Sequence, residues 1–256
     1  MQSARILFLG LLFAGRLAPA QAQQLQPVQQ VPAPSGSSAQ SGPSAQWWHG
    51  ALLVGGVSAL MLLDNPVRSF SQSERGSASN GFASGIRHMG QPEVYGTVTL
   101  GLLGAGLITG NQRITQAGLH VGGSVALAAG AVYVGKSLLG RSRPDEIGSD
   151  GDDFHPLTGR VSMPSGHTAL AFGLATSLAD DINRPWATVG LYSMAGAVGL
   201  SRINDNRHWL TDVVAGAAVG IASAKFISGR WTIFGIRAPS FLVGPQGMGV
   251  GWHAEF

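Results

Sequence analysis

The chain contains no cysteine among its 256 residues, which excludes a disulfide framework and every cysteine-based metal site. Charged residues are also scarce, at 11% of the chain, against about 25% in ordinary soluble domains. The 16 Lys and Arg residues form no stripe, so the net charge of +3 does not indicate a nucleic-acid binder. Hydrophobic residues make up 45% of the chain and 38 residues are glycine, a composition typical of closely packed helices in or on a membrane.

The N-terminal segment has the features of an export signal. Arg5 precedes an apolar run over residues 6–14, and Ala20 and Ala22 form an A-x-A pattern before Gln23. We predict a signal peptide over residues 1–22 and export to a bacterial envelope, with an uncleaved anchor helix as the alternative. Residues 23–46 are rich in Gln, Pro and Ser, which predicts a disordered linker.

The remainder of the chain alternates apolar stretches with polar loops. The stretches cover residues 47–63, 94–110, 114–140, 166–180, 186–200 and 208–226, and none shows strand-like alternation. We therefore predict an all-α fold, with a single bundle of about six helices over residues 47–231. The tail, residues 232–256, can form a short C-terminal β-hairpin that turns near Pro245 to Gly247.

A first motif places two cations near the end of a predicted helix. Lys136 and Arg143 are seven residues apart, which puts both on one helix face, and Pro144 would end that helix. Arg141 lies off this face, so we give it no primary role. Taken alone, the motif is typical of a solvated basic helix end.

A second motif, Pro164-Ser165-Gly166-His167, precedes an apolar run. Ser165 suits a helix N-cap, and Gly166 lets the backbone approach a ligand closely. The free N–H groups and the positive end of the helix dipole would then bind an anion beside His167. An ordinary capped helix with a surface histidine is the alternative.

A third motif joins Ser201-Arg202 to His208 and Asp212. His208 and Asp212 are four residues apart on the predicted helix 208–226, and hence on one face. The carboxylate would hold one ring nitrogen of His208 and free the other as a nucleophile. Arg202, in the preceding loop, would reach the same anion. Alone, such a pair is usually a helix-surface ion pair.

Together the three motifs resemble the signature of the type 2 phosphatidic acid phosphatase and vanadium haloperoxidase superfamily, over roughly residues 90–226. The resemblance implies that His208 attacks phosphorus to give a phosphohistidine, that Asp212 orients it, and that His167 serves as general acid and base. It also implies a set of phosphate-binding residues: Lys136, Arg143, Ser165, Gly166 and Arg202. No metal cofactor is expected, because fixed cations stabilise the transition-state charge.

The implied function is a metal-independent phosphatase acting on a phosphomonoester, a lipid phosphate or a lipid pyrophosphate. Two alternatives stay open: a vanadate-dependent haloperoxidase, in which vanadate is the cofactor rather than an inhibitor, and a non-catalytic phosphate-binding envelope protein. The expected partner is a phosphorylated small molecule or lipid, and not a nucleic acid. The leaving group and the oligomeric state do not follow from the sequence.

The relation to the membrane has two readings. Residues 114–135 and 94–112 are free of charge over 22 and 19 positions, close to the roughly 20 residues that a spanning helix needs. These windows are dense in Gly, Thr, Gln and Asn, however, and the uncharged window 213–224 is short. If all six helices spanned from an exported start, the catalytic loops would face the cytoplasm. We favour an exported, periplasmic bundle over a membrane-embedded one.

Overall fold

The computed structural model describes residues 44–251, except for 147, 149, 234–235 and 245–246. The predicted signal peptide and most of the predicted linker lie outside the described residues. Within them the chain forms eight α-helices: α1 (Trp47–Leu60), α2 (Asp64–Ser73), α3 (Ser77–Met89), α4 (Pro92–Thr109), α5 (Gln112–Leu139), α6 (Gly166–Ile182), α7 (Pro185–Asn204) and α8 (Leu210–Ile227). A short 3-10 helix, Met61–Leu63, joins α1 to α2. The predicted all-α class is confirmed.

Strands are confined to the ends of the described chain. β1 (Ser44–Ala45) pairs in parallel with β2 (Thr232–Ile233). β3 (Ser240–Gly244) and β4 (Gly247–Gly251) pair antiparallel, with Gly244 opposite Gly247. The tail therefore carries the short hairpin that its sequence predicts, beside a helical bundle.

The segment 64–93, expected to be a loop, contains two helices. α2 and α3 are short and rich in Ser, Asn and Gln. Each presents a single apolar face, so a search for continuous apolar runs does not detect them. α3 packs mainly on α7, and α2 contacts both α7 and α8. The two helices thus cover one end of the bundle.

The bundle is built around α6, which packs against α5, α7 and α8. Small side chains allow the close approach of α6 and α8. A Cβ at Gly216 would lie 2.5 Å from the carbonyl oxygen of Ser165, and one at Gly220 would meet the carbonyl oxygen of Ala169. The backbone at the start of α6 is therefore fixed directly against α8.

Successive helices of the core run antiparallel, so that α5 and α7 end where α6 and α8 begin. All three sequence motifs lie at these four helix ends. The fold therefore brings them to one end of the bundle, which α2 and α3 border.

The outer surface is strongly apolar. Among the residues that the structure describes, three stretches are long and apolar enough to cross a membrane: Trp48–Ser73, Gln112–Leu139 and Leu210–Ile227. Large hydrophobic side chains point outward on several helices, with Ile108 88% and Trp186 73% exposed. Extensive apolar surface marks an interaction with membrane or protein. The surface supports membrane association, and the three spans favour the reading that we ranked second from the sequence.

Candidate active site

His208 and Asp212 meet as expected, although not on one helix face. α8 begins at Leu210 with Trp209 as its N-cap, so His208 precedes the helix. The Nδ1 atom of His208 lies 3.3 Å from Oδ2 of Asp212. His208 is buried, with 5% of its surface exposed. The carboxylate of Asp212 is therefore hydrogen-bonded to Nδ1 of His208, and Nε2 of the ring stays available for other contacts.

Asp212 is held by residues that lie outside the predicted site. Its Oδ2 accepts hydrogen bonds from the Ser162 hydroxyl, at 2.5 Å, and from the Trp209 N–H, at 3.0 Å. Its Oδ1 accepts one from Arg141, at 2.7 Å. Arg141, to which we gave no primary role, is fully buried behind the histidine. The R-x-R-P spacing is a sequence signal for Arg141 itself. Its partners cannot be identified from the local sequence, because they are distant along the chain.

The first motif is arranged differently from the prediction. α5 ends at Leu139, with Gly140 in the left-handed conformation at φ 57°. A side chain at Gly140 would collide with the backbone of His155, so the helix turns there and not at Pro144. Lys136 and Arg143 consequently do not share a helix face. The Lys136 ammonium donates to the carbonyl of Val161.

The second motif forms the expected helix start. Ser165 is the N-cap of α6, and its hydroxyl accepts a hydrogen bond from Thr168 at 2.9 Å. The Ser165 N–H donates to the carbonyl of Asp212, which ties α6 to α8. Gly166 is the first residue of α6 and His167 the second. Free N–H groups of this first turn, together with the helix dipole, favour an anion beside His167.

Arg202 lies in the last turn of α7 rather than in a loop, because α7 continues to Asn204. It is buried, with 8% exposed, and one of its terminal nitrogens donates to Asp205 at 3.2 Å. Within the part of the chain that the structure describes, its Nε atom has no hydrogen-bond partner. The guanidinium therefore keeps donor capacity for an anion.

The charges of the motif residues converge on the two histidines. Burial, together with the charges of Arg202, His208, Lys136 and Arg143, lowers the pKa of His167 to about 4. Burial also lowers the pKa of His208, against the opposing hydrogen bond to Asp212. Two neutral histidines surrounded by three cations form a site suited to an anion.

The acidic loop after Pro144 packs on this end of the bundle instead of extending freely into solvent. Asp153 accepts hydrogen bonds from Ser142 and, at 2.8 Å, from Arg160. Asp145 pairs with Arg207 at 2.7 Å. Among the described residues, no group of three or more His, Cys, Asp or Glu side chains could hold a metal ion. The carbonyl of Gly151 in this loop accepts a hydrogen bond from Arg141, behind His208.

A family model described as the PAP2 superfamily matches residues 117–232, an interval that contains every residue of the three motifs. The match includes the four helix ends that carry the site, while α1 to α4 precede it.

A lipid phosphatase is similar to part of this chain. A lipid A 1-phosphatase of Porphyromonas gingivalis is 44% identical over 109 residues, which is 42% of this chain and 22% of the relative. The chain thus spans about a fifth of the length of that relative.

Two crystal structures resemble the fold. LpxE of Aquifex aeolicus has a TM-score of 0.51 and 24% identity, covering 63% of this chain and 92% of its own. A transmembrane PAP2-type phosphatidylglycerolphosphate phosphatase of Bacillus subtilis has a TM-score of 0.53 and 22% identity, covering 72% and 92%. At these identities the likeness shows a shared helical fold and no more.

Proposed function

We propose that the chain is a metal-independent phosphatase of membrane lipid phosphates that works through a phosphohistidine. One observation carries the proposal: the buried His208 has Nδ1 against Asp212 and lies beside His167, on which the charges of Lys136, Arg143 and Arg202 act. A non-catalytic phosphate site needs the cations alone. An oriented histidine beside them adds a nucleophile.

The first step joins the free ring nitrogen of His208 to phosphorus. As the N–P bond forms, the P–O bond to the lipid breaks, and His167 gives its proton to the leaving oxygen. In the second step a water oxygen attacks phosphorus and the N–P bond breaks. His167 takes the proton of that water, and inorganic phosphate leaves. Asp212 stabilises the charge on His208 between the two steps.

His167 gains its proton when the site holds an anion. In the free site, burial and the neighbouring cations keep its pKa near 4. A bound phosphate offsets those cations, and a negative charge close to an imidazole raises its pKa. The group is thereby tuned towards general acid catalysis after the substrate has arrived.

Fixed cations take the place of a metal ion in this mechanism. Lys136, Arg143 and Arg202, with the N-terminus of α6 at Gly166 and the capping Ser165, would stabilise the charge on the equatorial oxygens of the transferring phosphoryl group. These donors are held by helix ends and need little reorganisation when charge develops. EDTA should therefore leave turnover unchanged.

An apolar groove supports a lipid as the substrate. The groove, with a cavity volume of about 490 Å³, lies between α4, α6 and α7 and includes Met89 and Val198. Gly90 connects it to the site, since a Cβ there would lie 2.8 Å from Val198 and 3.0 Å from the His167 ring. An acyl chain could lie in this groove with its phosphate at His167. The P. gingivalis relative is named as a lipid phosphatase.

The proposed setting is the bacterial envelope. The predicted signal segment supports export, and the three candidate spans support a membrane location. A membrane-bound enzyme would meet its lipid substrate within the bilayer, with the phosphate at the polar end of the bundle.

The test is phosphate release by the purified full-length protein in detergent, with EDTA present. The panel compares phosphatidic acid, a lipid A 1-phosphate, a polyprenyl pyrophosphate and a soluble aryl phosphate. We expect at least one lipid phosphate to exceed the aryl phosphate in kcat/KM. Rapid quenching of labelled substrate should trap an acid-labile, alkali-stable phosphoenzyme. Absence of turnover on all four substrates would overturn the proposal.

A further inference from the structure

A group of three buried charged side chains lies behind His208. Asp64 comes from the start of α2, Arg141 from the segment after α5, and Asp212 from the first turn of α8. Each has at most 1% of its surface exposed. Arg141 pairs with Asp64 at 2.5 Å and with Asp212 at 2.7 Å. One guanidinium therefore joins two carboxylates that are far apart in the sequence.

Further hydrogen bonds satisfy the oxygens of this group. The Thr211 N–H donates to Oδ1 of Asp64 at 2.9 Å, and the Thr211 hydroxyl donates to Oδ2 at 2.5 Å. Arg141 donates to the Thr211 hydroxyl at 2.6 Å and to the carbonyl of Gly151. Its guanidinium also lies over the ring of Trp209, at 5.4 Å. The planar fork of arginine suits such bidentate bridging, which a lysine ammonium cannot reproduce.

The charge balance gives Asp64 a specific role. Arg141 and Asp212 alone would form a neutral pair, and little negative charge would remain to face His208. With Asp64 on the same guanidinium, two carboxylates and one cation leave a net charge of −1. That charge matches the single positive charge that His208 acquires when it attacks phosphorus. The match matters because the group is buried, where unbalanced charge is costly.

We propose that Asp64 and Arg141 are positioning residues for the nucleophile. Arg141 fixes the Asp212 carboxylate against His208, and Asp64 offsets the charge of Arg141 so that Asp212 can stabilise the cationic ring. Neither residue touches the phosphate. This inference rests on the proposed phosphatase function, and it assigns a catalytic contribution to α2, which precedes the PAP2 match.

Asp64→Asn tests the role, because it removes the charge and keeps the shape. We expect kcat to fall by about 10- to 100-fold, by analogy with the loss of a group that hydrogen-bonds to a metal-ligating residue and orients it. The inhibition constant of inorganic phosphate should change by less than about twofold, because Lys136, Arg143 and Arg202 remain in place. A loss confined to kcat separates positioning from general damage to the site.

Asp180→Asn is the matched control. Asp180 is another mostly buried carboxylate in a salt bridge, with Lys225 at 2.7 Å, and it lies towards the opposite end of the bundle. Its loss should lower the melting temperature and leave kcat of the folded protein unchanged. Comparing the two variants separates the specific effect of Asp64 on kcat from the general effect of removing a buried carboxylate.

Arg141→Lys provides a second variant if Asp64→Asn does not fold. The positive charge is kept, but one ammonium cannot bridge both carboxylates as the fork does. We again expect a lower kcat with phosphate inhibition retained. The inference is overturned if the folded variants keep kcat within twofold of the parent protein, or if phosphate inhibition weakens in proportion to kcat. An inactive parent protein would instead overturn the proposed function itself.

Discussion

The two sides of His208 differ in how fully their polar groups are satisfied. On the inner side, Asp212 accepts from Arg141, Ser162 and Trp209 besides facing the histidine. On the outer side, Lys136 donates to one carbonyl and Arg202 to one carboxylate. The inner side is thus fixed before a substrate binds, while the outer side keeps donors for an anion. Such a division orients the nucleophile and leaves charge for the transition state.

His208→Ala should have the largest effect, because it removes the residue that joins the two sides. We expect kcat to fall by about 10⁴-fold or more, as for loss of other nucleophiles. Labelled phosphoenzyme should disappear from rapid-quench samples, while inorganic phosphate still binds through the outer cations. A labelled enzyme that persists in this variant would place the nucleophile elsewhere.

Arg202→Ala isolates the outer side. Loss of one donor to a developing oxyanion costs about 10²- to 10³-fold in kcat, and phosphate inhibition should weaken in parallel. Steady-state kinetics with inorganic phosphate as inhibitor measure both quantities. Arg230→Ala is the control, since Arg230 pairs with Asp180 away from the site and is half exposed. Unchanged phosphate inhibition in Arg202→Ala would contradict its place on the outer side.

Gly216→Ala disturbs the frame that holds both sides together. The new Cβ would lie 2.5 Å from the Ser165 carbonyl, so α8 must move away from the start of α6. Overpacking of this kind costs about 1–3 kcal/mol, and Asp212, one turn earlier on α8, should move with the helix. We expect a lower melting temperature and a lower kcat together.

Gly196→Ala is the matched control for that substitution. Gly196 lies within α7, and a Cβ there would meet no atom within 4 Å. Replacing a helical glycine by alanine at such a position stabilises by about 0.5–1 kcal/mol. Kinetics should stay at the parent level. Equal melting temperatures for the two variants would contradict the close packing of α6 against α8 at Gly216.

The outer side of the site was more predictable from the sequence than the inner side. Lys136, Arg202 and His167 follow from short motifs, because each lies at a helix end that local residues mark. Asp64 carries no such signal, and the R-x-R-P spacing at Arg141 does not identify its partners, since the pairing of the two residues depends on how α2 packs against α8. The predicted boundaries of α5 and α8 were also wrong. Gly140 ends α5 before Pro144, and α8 begins only after its N-cap Trp209, although residue spacing alone would extend both helices.

The smallest expected effect is the pH dependence of kcat/KM and kcat, which tests the outer side alone. In the free site the pKa of His167 is about 4, so above that pH His167 is neutral. The proton needed by the leaving oxygen must then be carried in by the substrate, whose second phosphate pKa is about 6. The value of kcat/KM should therefore decline above about pH 6. A bound phosphate raises the pKa of His167, so kcat should decline only at higher pH. The two profiles, measured with one lipid phosphate, are expected to separate. Coincident declines would show that the bound anion does not change the charge of His167.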